Sequence, residues 1–449
     1  MGVSKVVYGN QTLIDISGDT VTPETLMNGY TAHDASGAAI VGNASGGGGD
    51  LSKYVTAVDA YGEPIGVDDF SFQITNPTFN KAIVIGDNVT NCVNMFRYAS
   101  SFNNSVTFGN NVSNCANMFY SSNVFNQPVD LPDSVTSCAY MFQFANNYNQ
   151  PLTIPSNVSD LRNLFYGVNN YNKPVTIEAT AIRTTNYMFN NCRKFNQPLS
   201  LNFNESNATT YGMFENCIAF NQPIQITGNL YIGTNMFNNC TSFNQPLSIN
   251  IHISLGSSSF AYMFSNCRAL NSPITFNVVY QNRATQFVTM EGVFASCVAL
   301  NSPVTLPDCN MVNSVAYMFN NCTSFNQTIN FTSNAAYYYY YMFHNCSQLN
   351  QDMNFKFMYN GSSDTSNMFR NALNVGGDFY FSNGNSHTVR NMFFNSGVGR
   401  RKNCYCDTLT RFLWTNTSSI VGQTITWTAM DNGQGYYNDS FNIYLYNQW

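Results

Sequence analysis

The chain has 449 residues, of which 44% are hydrophobic and only 9% are charged, and its formal net charge is −6. Its surface must therefore consist mainly of neutral Asn, Ser, Thr, Gln and Tyr side chains. This composition argues against nucleic-acid binding, which needs stripes of Lys and Arg for the phosphates. It also argues against membrane insertion, because no apolar stretch approaches the length of a membrane span.

Residues 1–44 form a small leader, in which Thr22-Pro23 can begin a short helix and His33 to Gly37 predicts a turn. The leader contains the run from Asn10 to Leu26, then Gly29-Tyr30-Thr31-Ala32-His33-Asp34 and Gly37-Ala38-Ala39-Ile40-Val41-Gly42. These segments resemble the N-terminal module on tail and fibre proteins of phages that infect gut bacteria. The resemblance implies a virion-attachment module whose partners are other virion proteins.

A glycine linker, residues 45–50, separates the leader from the rest of the chain. Gly46 to Gly49 form a flexible joint, and residues 51–78 are expected to be an N-terminal cap. The N-terminus lacks the apolar core of a signal peptide, so export by the usual secretory route is not expected.

A repeat fills residues 79–399. At one phase an aromatic residue or Leu is followed by Asn, in most cases 23 to 25 residues after the previous one. The Asn residues at this phase are Asn80, Asn103, Asn126, Asn149, Asn172, Asn196, Asn221, Asn244, Asn271, Asn301, Asn326, Asn350 and Asn374. Because one unit alone buries too little apolar surface to offset its ordering entropy, this period predicts a solenoid. The short amides predict a stacked Asn ladder that bonds backbone groups where the chain bends.

Each repeat also predicts one short strand. In Leu199-Ser200-Leu201 two side chains point into the core and one points out. Proline often precedes such a strand, at a position where no ladder donor is lost. The expected fold is a β-rich, leucine-rich-repeat-like solenoid of about thirteen turns with short parallel strands.

Most of the cysteines keep one of two fixed phases in the repeat. Since residues at one phase stack in the core of a solenoid, we expect small buried groups rather than disulfides. Cys404-Tyr405-Cys406 lies outside this register and is only a weak metal signal. No metal and no other cofactor is expected.

One cycle in full is Asn186-Tyr187-Met188-Phe189-Asn190-Asn191-Cys192-Arg193-Lys194-Phe195-Asn196-Gln197-Pro198-Leu199. It resembles the BspA-like leucine-rich repeats of bacterial surface proteins, in the variant with a recurring MF…C…FNQPL. The resemblance covers the repeat region and implies a curved solenoid used in adhesion. It brings no catalytic residues.

The outward residue of each strand traces a mostly polar line, a candidate face for a glycan or a protein partner. Its candidate binding residues are Thr153, Thr176, Ser200, Gln225, Ser248, Thr275, Thr305 and Tyr380. Polar residues on a solvated strand face are also the default, so both interpretations stay open. In the run from Tyr337 to Tyr341 at least two side chains must point outward if the chain alternates, and Tyr338 and Tyr340 are the candidates for stacking on a sugar ring.

Residues 400–449 depart from the repeat and hold all three tryptophans. Thr424 to Thr428 and Phe441 to Tyr446 alternate like strands around a turn at residues 431–435. We interpret the segment as a β-rich cap on the last core turn. The alternative is a receptor-contacting tip that uses Trp427 and Trp449.

Catalysis is not expected. Cleavage of a polysaccharide needs two carboxylates at a fixed separation, but no phase of the repeat gathers Asp or Glu, and the four histidines form no Ser-His-Asp pattern.

The sequence therefore predicts a phage virion fibre or appendage protein that binds a host-surface glycan or protein. It would be made in the bacterial cytoplasm and then displayed outside the cell on the particle. The alternatives are a bacterial cell-surface adhesin and a purely structural capsid or tail decoration. No heptad stretch indicates a trimer, so a homo-oligomer stays open.

Overall fold

A computed structural model describes residues 78–87, 89–253, 258–280, 287–306, 312–333, 336–357, 363–381 and 386–396, together with short strands outside these ranges. The chain divides into two compact units, Met1–Val55 and Thr56–Trp449. The predicted helix start at Thr22-Pro23, the linker at residues 45–50, and Trp427 and Trp449 lie outside the described residues.

Strands of the first unit pair antiparallel. They are β1 Lys5–Tyr8 with β2 Gln11–Asp15, and β3 Thr31–His33 with β4 Ala39–Val41. The second unit begins with one further antiparallel pair, β5 Thr56–Val58 and β6 Pro64–Gly66.

The repeat region folds as a parallel β-solenoid, which confirms the predicted fold class. Its strands are β7 Ile83–Val84, β8 Val106–Thr107, β9 Leu152–Ile154, β10 Val175–Ile177, β11 Leu199–Thr209, β12 Ile224–Ile232, β13 Leu247–Ile253, β14 Ser258–Ser259, β15 Ile274–Tyr280, β16 Val288–Thr289, β17 Val304–Thr305, β18 Val312–Ser314, β19 Asn330–Ser333, β20 Asn354–Phe357, β21 Gly377–Phe381, β22 Ser386–Thr388 and β23 Lys402–Cys406. The strands that follow are β24 Arg411–Leu413, β25 Ser418–Ile420, β26 Gln423–Ile425 and β27 Phe441–Leu445. The described residues contain no helix.

The coil has about eleven turns, slightly fewer than the thirteen predicted. In one repeat the predicted burial pattern occurs without a strand. Val129 and Leu131 are buried around the exposed Asp130, yet this segment forms no strand. Val129 and Leu131 are buried there although the segment makes no ladder hydrogen bonds. Packing against the neighbouring turns is sufficient to bury both apolar side chains.

Parallel pairing runs along the solenoid in two columns, where the sequence predicted one strand per repeat. The first column contains the predicted strands, for example β9 against β10. The second consists of short strands and single bridges, from Asn91 to Asn114 at one end to Asp364 and Thr388 at the other. The long strand β12 joins them, because its last residue, Ile232, pairs with Thr209 and with Ser259.

Stacked aromatic rings fill the space behind the strands. The ring of Phe189 lies 4.1 Å from that of Phe195 in its own repeat, and 5.4 and 5.5 Å from those of Phe165 and Phe214 in adjacent repeats, measured between ring centroids. Near-parallel rings at such distances pack densely and add stacking energy to their burial. The repeated Phe therefore holds neighbouring turns together.

Buried cysteines line the same core, as predicted. The thiol of Cys192 donates to the carbonyl oxygen of Phe165 in the preceding turn at 3.0 Å. Cys217, Cys240, Cys267, Cys297, Cys322 and Cys346 make the equivalent bond. Burial raises the pKa of the Cys192 thiol, so these groups stay protonated and act as small core donors.

Strand β23 contains Cys404 to Cys406, which lie on a paired strand and not at either of the two phases of the stacked core cysteines. Cys404 pairs with Phe379 of β21 on one side and with Ile443 of β27 on the other, both in parallel. Strand β27 therefore extends the sheet of β19, β20, β21 and β23. Strand β26 pairs antiparallel with β25, and the turn predicted at residues 431–435 lies outside the described residues.

Candidate functional site

The first strand column carries the predicted polar line. Thr153 lies opposite Thr176, Ser200 opposite Gln225, and Ser248 opposite Thr275, which in turn lies opposite Thr305. All are exposed except the half-buried Thr275. The parallel register thus brings these seven residues together in short rows along one face.

An open groove lies on this face around Ser200 and Gln225. Pro198 and Leu199 line it on one turn, and Pro223 and Ile224 line it on the next. A hydroxyl and an amide between two prolines offer donors and acceptors with an apolar border, which is the chemistry that a sugar or a peptide backbone needs.

Tyr380 does not belong to this line where we placed it. It lies opposite Lys356 of β20, and the Lys356 ammonium is 5.7 Å from the centroid of its ring. Asp378 takes the expected place, because its backbone N–H donates to the side-chain oxygen of Asn354. The predicted register was therefore wrong by two residues. Because side chains alternate with a period of two, Tyr380 still lies on the predicted face of the sheet, but not at the predicted position.

The tyrosine run divides between core and surface. Tyr339 is fully buried, Tyr338 is 43% exposed and Tyr340 is half-buried. The rings of Tyr338 and Tyr340 meet edge to face with centroids 5.7 Å apart. Alternation therefore brings the two candidate stacking residues together. Tyr338 itself lies in the second strand column, between Ser314 and Asp364.

The thirteen Asn residues follow one another in a single series along the solenoid. From Asn103 to Asn350, the backbone N–H of each donates to the side-chain oxygen of the one before, at 2.7 to 2.9 Å. At the end of the series the Asn374 side-chain amide donates to Asn350 at 3.2 Å. These amide oxygens point along the solenoid toward the next turn, so their geometry serves stacking.

A second Asn series escaped the sequence analysis. Each repeat contains two residues with positive φ, four positions apart, as at Asn235 (φ 56°) and Asn239 (φ 62°). Asn tolerates this conformation better than most other residues. The side-chain amide of Asn239 donates to the oxygen of Asn216 at 2.7 Å, and Asn345, Asn371 and Asn395 repeat this bond. The signal was present in the sequence, because Asn directly precedes the repeated Cys in six repeats between Asn191 and Cys346.

Aromatic side chains form a second continuous surface that the sequence analysis missed. We call it the aromatic ridge, and it consists of Tyr98, Tyr120, Phe144, Tyr166, Tyr187 and Tyr211. Neighbouring ring centroids are 5.1 to 6.2 Å apart, and each contact joins consecutive turns, mostly edge to face. Tyr98 is 52% and Phe144 36% exposed, and the other four are half-buried.

Few charged side chains lie beside the ridge, and those of Arg97 and Glu215 interact with neighbouring side chains. The Arg97 guanidinium lies 4.9 and 4.8 Å from the ring centroids of Tyr98 and Tyr120. Glu215 accepts hydrogen bonds from Asn190 at 2.9 Å and from Asn238 at 3.0 Å. Burial, and then the neighbouring Tyr211, raises the pKa of Tyr187 to about 12, so this hydroxyl stays a protonated donor.

Within the described residues, no group of three or more His, Cys, Asp or Glu could hold a metal ion. Among the residues that the structure covers, no helix is long and apolar enough to cross a membrane.

Comparison with known proteins gives one family match. The model of the family described as Mycoplasma protein of unknown function, DUF285, matches residues 72–176, 154–250, 211–288 and 258–381. No curated protein sequence matches the chain significantly.

A search of solved structures finds a similar chain, the crystal structure of a leucine-rich cell surface protein from Faecalibacterium prausnitzii A2-165. The two chains are 17% identical, with 67% of this chain and 79% of that chain covered and a TM-score of 0.37. The parallel solenoid described above follows from the strand pairing of the chain itself.

Proposed function

The chain belongs to the DUF285 family, and we propose that it is a non-catalytic binding protein displayed on a cell or a particle. Because the family's description gives no function, the proposal rests on the exposed side chains of the solenoid. It acts as an adhesin that contacts a glycan or protein on its target. The solenoid repeats the same groups turn after turn, so an extended or repeating ligand can make many weak contacts that add up to firm attachment.

One observation carries the proposal: the exposed polar line of the first strand column is held in register by parallel pairing. Thr153 against Thr176, and Ser200 against Gln225, present hydroxyl and amide groups at the spacing of adjacent strands. Such a regular row is preorganised, so a ligand that binds it does not have to order the protein first.

The direct test measures binding of the fluorescently labelled full chain to a panel of bacterial cells. Saturable binding is expected, and the double substitution Thr153→Lys/Thr176→Lys should weaken it at least about tenfold, equivalent to about 1.4 kcal/mol. The matched control is Asn147→Lys/Asn170→Lys, which places the same charges on exposed residues six positions earlier in the same two repeats. An equal loss of cell binding in both double variants would show that the strand face is not the binding surface.

We further propose that the displaying surface is a phage particle. The leader motif, from Asn10 to Gly42, and the glycine run from Gly46 to Gly49 support this. The bacterial cell-surface adhesin and the structural decoration are the competing assignments. Deletion of residues 1–44 should remove the protein from purified virions that carry the full chain. Recovery of the full chain only in the bacterial envelope fraction would overturn the phage assignment.

The non-catalytic part of the proposal has its own test. Incubation of the full chain with capsular and host polysaccharides should release no new reducing ends. Measurable release by the purified protein, lost on substitution of any single carboxylate, would replace binding with hydrolysis as its activity.

A further inference from the structure

We propose that the aromatic ridge is a binding site for a neutral glycan chain that lies along the solenoid axis. This inference deepens the proposed function, on which it rests, by naming the ligand class and a second surface for it. It does not involve the polar line of the first strand column.

Spacing is the first argument. The six rings follow one another over six consecutive turns with centroids 5.1 to 6.2 Å apart, a step comparable to the length of one pyranose unit in an extended chain. The C–H groups of a sugar ring can pack on an aromatic side chain, while the hydroxyl groups of Tyr and the sugar exchange hydrogen bonds. One sugar unit per turn is therefore the natural stoichiometry.

Rigidity is the second argument, because rings held in place cost little entropy on binding. The Phe144 ring lies directly on Gly167, where an added Cβ would come within 2.5 Å of it. Tyr187 lies in the same way on Gly212, at 2.8 Å. Both glycines have positive φ, 75° and 54°, so each serves the backbone conformation and leaves room for a ring of the preceding turn.

Charge decides between neutral and ionic glycans. Arg162, four residues before Tyr166 in the chain, forms an ion pair with Asp160 at 2.9 Å. Glu215 is held by the amides of Asn190 and Asn238, and Arg97 lies at the first end of the ridge, against Tyr98 and Tyr120. A polyanion would need a row of cations to compensate it, so the near-neutral ridge complements a neutral chain.

The experiment measures binding of the full chain to neutral hexasaccharides, namely α- and β-linked glucans, mannans and galactans, by calorimetry. A hexamer of galacturonate serves as the anionic comparison. We expect at least one neutral hexasaccharide to bind more tightly than the galacturonate.

Variants localise the site. The double substitution Tyr98→Ala/Phe144→Ala removes the two most exposed rings and should weaken neutral hexasaccharide binding at least tenfold. Gly167→Ala should weaken it as well, because the added methyl group displaces the Phe144 ring while the aromatic residues remain. Leu373→Ala is the matched control, since this apolar side chain is also exposed and lies outside both the ridge and the other candidate binding residues, and the variant should bind normally. Circular dichroism and thermal unfolding establish that each variant is folded.

Three outcomes would overturn the proposal: no neutral hexasaccharide binds, the galacturonate hexamer binds more tightly, or the ridge variants bind as well as Leu373→Ala. Self-association of the chain that disappears in Tyr98→Ala/Phe144→Ala would also overturn it, since a second copy would then cover the ridge. These failures differ from failure of the proposed function, in which the unaltered chain binds no cells at all.

Discussion

At the scale of single residues, Asn196 shows how one side chain ties three turns together. Its backbone N–H donates to the side-chain oxygen of Asn172, and its own side-chain oxygen accepts from the backbone N–H of Asn221, both at 2.9 Å. An amide is short enough to reach along the stack and carries no charge, so neighbouring copies do not repel one another.

The substitution Asn196→Ala should therefore lower the free energy of unfolding by about 1 kcal/mol, because the N–H of Asn221 loses its acceptor. Asn196→Asp should lower it less, since a carboxylate oxygen still accepts the bond. Urea unfolding measures both, with Asn170→Ala at an exposed position of the preceding repeat as the control. Equal stability of all three variants would show that the ladder contributes nothing.

The buried thiols predict how stability depends on pH. Burial, and then the nearby Asp160 carboxylate, raises the pKa of Cys138 from its ordinary value of 9.0 to about 12. The folded chain therefore holds this proton more tightly than the unfolded chain. The stabilisation is complete below pH 9 and is lost as the pH rises from 9 to about 12.

Comparison with Cys138→Ala isolates this group. The difference in unfolding free energy between the unaltered chain and the variant should stay constant up to pH 9 and then shrink by about 1.4 kcal/mol per pH unit. A difference that stays constant up to pH 11 would mean that Cys138 does not retain its proton in the folded state.

At the scale of elements, the approach of β11 to β12 depends on one glycine. Gly228 pairs with Phe203 and has a φ of 86°, and an added Cβ would lie 1.8 Å from the Phe203 carbonyl oxygen. The register of the two strands shifts just beyond this pair, between Phe203 and Ala208. Gly228 thus lies where the register of the two long strands changes between the first column and the second.

Gly228→Ala should lower the free energy of unfolding by more than the cost of a strained backbone, which alone is about 1 to 3 kcal/mol. The clash of the added Cβ with the Phe203 carbonyl group adds to that cost. Thr227→Ala next to it is the control, and it loses the hydroxyl bonds to the Leu201 carbonyl oxygen and to the Asn202 side-chain oxygen but adds no clash. Hydrogen exchange should show lost protection in both β11 and β12 for Gly228→Ala alone. Unchanged protection would mean that the strands do not depend on this glycine for their approach.

At the scale of the whole molecule, the low charge content sets how the protein can attach. Only 9% of its residues are charged, and the proposed binding surfaces consist of hydroxyl, amide and aromatic groups. Attachment through such surfaces depends on short-range contacts and on their number rather than on electrostatic attraction.

Cell binding by the full chain should therefore change less than twofold when the ionic strength rises from about 0.01 M to about 1 M, although the Debye length falls from about 30 Å to about 3 Å. The same titration with a protein that binds cells through Lys and Arg provides the comparison. A steep loss of binding with salt would point to a charged contact elsewhere in the chain.

The sequence by itself determined the period, the parallel β-solenoid class, the burial of the repeated Phe and Cys, and the outward direction of residues such as Thr153 and Ser200. These properties follow from local alternation and from residue type at a fixed phase, because identical phases must stack when the coil closes. The number of turns was slightly overestimated, and the sequence did not show that a repeat such as the one at Asp130 keeps the burial pattern without a strand.

Only the tertiary structure decided the second strand column, the register of Tyr380, the parallel pairing of β23 with β27, and the aromatic ridge. The members of the ridge occupy different phases of their repeats, so no periodic signal marks them, and only the stacking of turns brings Phe144 against Gly167. An alternating segment such as β27 suits either a hairpin or a parallel sheet, and the free edge that β23 offers selects the second.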